Sequence, residues 1–342
     1  YMLKEIMEQP DAVSRTIEPW IKEGRADLSE VLSRDEVKNL SRFYIVACGS
    51  SYHVGVVAKY NLEKLARIPV EVVLASEFRY CNPIIDKNTL VVCISQSGET
   101  ADTLEAVREA KSLGALTLAI VNVEGSSIAR ESDRVILTKA GPEIAVATTK
   151  AYSTQLAVTV LLALYAADCC GTLEKTEYDA VLNELLAVPD KMKQILSDKE
   201  NIQRIAYQHF DNEDIFFIGR NIDYALSLEG SLKLKEISYI HSEAYAAGEL
   251  KHGTISLVVK DTLVIAVASY GLLVDKTLSN AKEVQARGGH IMGITTESLR
   301  ERVAAVTDEI LTIPDTHEVL LASLAVLPLQ LFAYYIALYR GC

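Results

Sequence analysis

The chain has 342 residues, 49% of them hydrophobic, and a formal net charge of −12. That length suits two domains of roughly 150 residues each better than one core. The acidic balance speaks against a nucleic-acid surface, while small anionic ligands stay open, because local donors rather than net charge hold them.

The first 35 residues are charged and helical in pattern, with Pro10 and Pro19 as punctuation and Trp20 as the only tryptophan. Strands are then expected at FYIVAC (43–48), VEVVLA (70–75), VVCIS (91–95), LTLAIVN (116–122) and RVILTKA (134–140), most of them separated by helical patterns. Strand–helix alternation of this kind builds a parallel sheet covered on both faces. A long helix over about 151–169 closes this half, and a charged helical connector follows near 172–201.

The pattern then starts again. IFFIGR (215–220) matches YIVACG, AGEL (247–250) falls where ASEF (75–78) fell, and LVIAVAS (263–269) matches LVVCIS. EVQARGGHIMGI (283–294) matches EAKSLGALTLAI (109–120), and DEILTI (308–313) matches DRVILT, with the offset held between about 171 and 175. The expected fold class is therefore α/β, with two tandem doubly wound parallel-sheet domains of flavodoxin-like type from an internal duplication. The expected organisation is an N-terminal helical segment over 1–35, domain one over 36–171, a connector over 172–205 and domain two over 206–342.

Two strand ends carry unusual chemistry. The third strand runs into Ser95-Gln96-Ser97-Gly98-Glu99-Thr100, and the first into Cys48-Gly49-Ser50-Ser51. Helix N-termini offer free N–H groups and a positive dipole end, hydroxyls add donors, and glycine lets the backbone approach a ligand. Neither loop is a Walker or dinucleotide fingerprint, since G-K-[ST] and G-x-G-x-x-G are both missing. One reading takes the hydroxyls as ordinary N-caps. Two such ends in one sheet favour the other, a phosphate on a small molecule. The second half lacks this loop; its equivalent is Ala268-Ser269-Tyr270-Gly271.

Instead the second half carries LEGSLKLKEISYIHSEAYAAGELKHG (228–253), which opens as a helix. At about 100° per residue, Glu229, Lys233 and Glu236 fall within about 60° of one another and Lys235 points elsewhere. Such a row is either a solvated ion-pair ladder or a lysine nucleophile between two carboxylates that can move a proton between adjacent carbons. His252 follows in LKHG, either as a structural histidine or as an acid–base group.

The six cysteines (Cys48, Cys81, Cys93, Cys169, Cys170 and Cys342) show no C-x-x-C and no zinc spacing, and most lie in apolar runs, as buried thiols of a reducing compartment do. No signal peptide is seen, and the longest apolar stretch, near 157–167, is too short to span a bilayer, so a cytoplasmic protein without a membrane is expected. The chain opens at Tyr1 and closes at Cys342 directly after a helical run, which suggests a fragment of something larger.

CGSSYHVG, SQSGETADT, SLEGSLKLKEISYIHSEAYAAGELKHG and LPLQLFAYYIALYRG together resemble the isomerase part of the glutamine–fructose-6-phosphate aminotransferase (glucosamine-6-phosphate synthase) family, built of SIS (sugar isomerase) domains, from the first residues to the last. The resemblance implies an enzyme that makes glucosamine 6-phosphate from fructose 6-phosphate and ammonia, the ammonia coming through a channel from an N-terminal glutaminase domain that is absent here. This would be the first step towards UDP-N-acetylglucosamine, with no cofactor and no metal. It implies phosphate contacts from Ser95, Gln96, Ser97 and Thr100, helped by Ser50 and Ser51, and a backbone contact from Val146. It further implies a Schiff base on Lys233, proton shuttling by Glu236, support of the lysine by Glu229, and ring opening by His252 from the neighbouring subunit of a homodimer. The family ends in a Pro-Arg-Asn-Leu-Ala-Lys tail whose lysine closes over the sugar, and this chain stops before it. A two-SIS deglycase of fructosamine 6-phosphates and a sugar-phosphate sensor are the competing readings. A sensor would not need the Lys233–Glu236 pair, and no helix-turn-helix is seen.

Overall fold

The computed structural model describes residues 1–342, which form two compact units. One consists of residues 8–143 and 150–189, the other of 1–7, 144–149 and 190–342.

In the first of these, β1 (Arg42–Ala47), α1 (Gly49–Leu65), β2 (Val70–Leu74), β3 (Thr89–Ser95), α2 (Ala101–Ser112), β4 (Leu116–Val121) and β5 (Arg134–Leu137) follow in order. The five strands pair in parallel in the order β2-β1-β3-β4-β5. Every residue of β3 is buried, which is why it reads as a continuous apolar run rather than an alternating one. Tyr44, Val46, Val91, Cys93, Val107 and Ala119 belong to the core on one face. The helix α3 (Lys150–Cys170) packs against α1.

The other unit repeats this plan. After α4 (Lys199–His209) come β6 (Asp214–Gly219), α5 (Ile222–Ser238), β7 (His241–Ala246), β8 (Leu263–Val267), β9 (His290–Thr296), β10 (Glu309–Ile313) and α6 (Leu321–Arg340). The sheet order is β7-β6-β8-β9-β10, again all parallel. Each sheet thus has the order 2-1-3-4-5 in its own strands, as the duplication predicts. In such a sheet the crossover reverses between the first and third strands, so the loops leaving β1 and β3, or β6 and β8, flank the crevice where ligands bind. The 3-10 turn Ala247–His252 stands where the short helix Ala75–Phe78 stands in the first copy.

Two expectations need correcting. The N-terminal stretch is not helical throughout. After Met2–Met7, Gln9–Ile17 and the 3-10 turn Glu18–Trp20, Ile21–Lys22 pairs antiparallel with Arg25–Ala26. The turn between them uses Glu23 and Gly24, both at positive φ. The apolar stretches are also longer than the sequence suggested. Lys150–Cys170 and Glu318–Arg340 are each long and apolar enough to cross a membrane, because tyrosine, threonine and glutamine interrupt the apolar run without adding charge. Their apolar windows are 89% and 94% buried inside the protein, so both are core helices of this fold.

Candidate active site

The N-cap reading of the hydroxyl-rich loops does not hold. Cys48 is the N-cap of α1 and Thr100 that of α2, and neither side chain caps its helix. Ser50 and Ser51 lie inside the first turn of α1 and are buried. Thr100 Oγ1 instead sits 3.0 Å from Ser95 Oγ, which also accepts the Gly98 N–H at 3.0 Å. Ser97 Oγ accepts from the Glu99 amide at 3.2 Å, and the Glu99 carboxylate accepts from the Ser127 amide at 2.8 Å. These bonds fold the loop back on itself and leave the start of α2 without a side-chain cap, as an anion-binding turn requires.

Gly98 is needed for that turn. It sits at φ +66, and a Cβ there would meet Ser126 Oγ at 2.0 Å. Gln96 and Ser97 are half-buried beside it. A residue that sequence reading missed completes this half. Gln155 of α3 is 1% exposed and accepts from Ser51 Oγ at 3.0 Å, while its Nε2 has no partner. A buried amide donor left unpaired carries a desolvation cost that a ligand oxygen would remove. Its only sequence signal was a polar residue inside a buried apolar helix.

The second unit answers the same position differently. In register, Asp223 of α5 stands where Ser51 stands in α1, and Ser269 one residue beyond the counterpart of Ser95, which is Ala268. The Asp223 carboxylate accepts from Ser269 Oγ at 2.5 Å and from the Ser269 and Tyr270 amides at 3.0 Å each. Burial pushes this carboxyl up to about 6, against the lowering effect of those hydrogen bonds. The donors that would form an anion cradle after β8 already hold an internal carboxylate, which accounts for the missing S-Q-S-G-E-T loop.

The lysine row is real and buried. Lys233 is fully buried, with Nζ 2.5 Å from Glu236 Oε2 and 3.6 Å from Glu229 Oε1. Glu229 is also fully buried, while the Glu236 side chain keeps about a third of its surface in solvent. A solvated ladder would have its cation in water, so the ion-pair-ladder reading fails on burial. Gly230 brings α5 close to its neighbours: a Cβ there would lie 2.9 Å from both Phe217 Cε1 and Leu329 Cδ1. Glu236 at hydrogen-bonding distance can take the ammonium proton, which frees the amine to attack a carbonyl.

The remaining expected residues are placed as follows. Val146 is 92% exposed in the segment Ile144–Thr149 of the second unit. The buried Glu5 carboxylate anchors that segment by accepting from the Ile144 amide at 2.6 Å and the Ala145 amide at 3.3 Å, an arrangement no sequence signal announced. His252 ends the 3-10 turn Ala247–His252 and is exposed, so the structure does not draw it into the buried Lys233 group.

Two parallel 2-1-3-4-5 sheets, one with an uncapped hydroxyl loop, define a class. The SIS domain family matches residues 37–165 and 210–340, and the chain belongs to that family. Within it, the chain is similar to the glutamine–fructose-6-phosphate aminotransferase (isomerizing) of Clostridium tetani, at 53% identity over 345 residues covering 100% of this chain and 56% of that protein. The C-terminal domain of the glucosamine-fructose-6-phosphate aminotransferase of Francisella tularensis matches with a TM-score of 0.95 and 41% identity, covering 100% of this chain and 96% of that one. The tagatose-6-phosphate ketose/aldose isomerase of Escherichia coli shares the fold, with a TM-score of 0.84 at 19% identity over 99% of this chain and 93% of its own. The chain spans little more than half the length of the curated relatives it matches.

Proposed function

We propose that this chain is the isomerase part of a glutamine–fructose-6-phosphate aminotransferase, which turns fructose 6-phosphate and glutamine-derived ammonia into glucosamine 6-phosphate. The observation that carries the proposal is the buried Lys233 between Glu236 and Glu229. The names of the relatives support it. Ser50, Ser51, Ser95, Gln96, Ser97 and Thr100 hold the phosphate through hydroxyls, the Gln96 amide and the N–H groups that open α1 and α2. The backbone at Val146 touches the sugar. The Lys233 amine adds to the C2 carbonyl of the open-chain ketose and water leaves, giving an iminium. Ammonia, supplied by the glutaminase segment of the full-length protein, adds to C2 of this iminium and the Lys233 amine leaves, giving the free imine of the sugar. Glu236 then moves a proton from C1 to C2, which turns the C2 imine and C1 alcohol into the C2 amine and C1 aldehyde of glucosamine 6-phosphate, and Glu229 keeps the lysine oriented and its charge compensated. His252 opens the sugar ring, acting from the partner of a homodimer in the cytoplasm. No cofactor is called for.

The test is hydrogen exchange. Fructose 6-phosphate incubated with the chain in D2O should gain deuterium at C1 and yield some glucose 6-phosphate, both read by NMR. Fructose without phosphate should stay unlabelled. Labelling that is absent in the wild type, or equal for the two sugars, would overturn the assignment.

A further inference from the structure

A second group of chemically capable side chains lies at the opposite ends of the second unit's strands. His209 is the last residue of α4, His290 the first of β9 and Glu309 the first of β10. His209 Nε2 is 2.6 Å from Glu309 Oε2, and His290 Nε2 is 3.4 Å from the same oxygen. One ligand atom from each of the three lies within 4.8 Å of the others. His209 is 8% exposed, and the His290 side chain about a third. The group is remote from the proposed reaction, because that sheet's ligand-binding loops leave the carboxyl ends of its strands.

We propose that His209, His290 and Glu309 bind one divalent transition-metal ion of the zinc class, as a structural clip between α4 and the edge of the sheet. Two imidazoles and a carboxylate are the donor set that such ions favour, with bonds of about 2.0–2.2 Å. In a tetrahedral site of that size the ligand atoms stand about 3.3 Å apart. The His290–Glu309 distance already fits, and His209 has to withdraw by about 0.7 Å from its hydrogen bond. The half-exposed His290 leaves a path for entry and a fourth position for water. Asp308 Oδ2, 3.8 Å from His290 Nδ1, can orient that imidazole from behind. Position at the C-terminus of an eleven-residue helix adds favourable potential for a cation.

The test uses the whole chain, stripped with chelator and titrated with zinc chloride by calorimetry, and with cobalt chloride by absorption. The proposal predicts one equivalent bound per chain, weak visible cobalt bands without a thiolate charge-transfer band, and a raised melting temperature with zinc. Glu309→Gln and His290→Ala should each weaken binding by about tenfold or more, while His241→Ala, at another exposed histidine, should leave it unchanged. If the variants fold poorly, the cobalt spectrum of the unaltered chain still decides. A thiolate band, or no saturable binding, would overturn the proposal and leave a carboxylate that merely bridges two imidazoles. Unchanged binding in folded Glu309→Gln would do the same.

Discussion

Asp223 puts its carboxylate against Ser269, with 2.5 Å between Oδ1 and the serine hydroxyl, at the place where the first copy of the fold holds its hydroxyl loop open. The pair makes the two halves of a duplicated chain unequal. One copy keeps its donors for an external anion, and the other spends them on its own aspartate.

The first prediction follows from that burial. The Asp223 carboxyl stands at about 6 in the folded chain against 3.8 unfolded, so the folded state binds the extra proton between those values. Its stabilising effect is therefore complete below pH 4 and is lost as pH rises through 6. Measured against Asp223→Asn, the wild type should gain relative stability on acidification from pH 7 to pH 4, by at most about 3 kcal/mol. Chemical denaturation of both proteins across that range checks it. A difference that is flat, or that moves the other way, contradicts the assignment.

The phosphate loop gives the second. Charge-assisted hydrogen bonds contribute about 1.5–3 kcal/mol each. Ser97→Ala combined with Thr100→Ala should weaken fructose 6-phosphate binding about tenfold or more, with little effect on the binding of fructose itself. Calorimetry with both sugars measures this.

Gly98→Ala is the third. Positive φ and the approach to Ser126 act in the same direction. The expected cost is at least about 1 kcal/mol in unfolding free energy, together with weaker hexose-phosphate binding. A Gly98→Ala chain as stable as the wild type would mean that the turn is not held as described.

Gln155 supplies the fourth. Gln155→Leu removes an unpaired buried donor and also the acceptor for Ser51. Stability should stay within about 1 kcal/mol of the wild type, while affinity for hexose 6-phosphates falls several-fold. Loss of stability without loss of affinity would make Gln155 a packing residue only.

Much of this was legible in the sequence, for physical reasons. Strands buried on both faces must be written in long apolar runs, and β3 and β8 are. The lysine row was visible because residues three and four apart share a helix face. What stayed hidden depends on partners far apart in the chain. Asp223 looked like an ordinary acidic residue in a helix's first turn, and its acceptor role appears only when β8 brings Ser269 from 46 positions away. The His209–Glu309 and His290–Glu309 pairs span 100 and 19 residues, so no metal-ligand spacing could be read. The strand pair at Ile21–Lys22 and Arg25–Ala26 is too short to show any alternation.

The central claim is that Lys233 is the nucleophile and Glu236 its proton partner. Borohydride added with fructose 6-phosphate should reduce the iminium and fix the sugar phosphate to one lysine, found by peptide mass spectrometry. The account predicts the adduct on Lys233, its loss in Lys233→Arg, and its slower formation in Glu236→Gln with proton exchange at C1 abolished. An adduct on Lys235, on the opposite side of α5, or no adduct on a chain shown to bind the sugar phosphate, would contradict it.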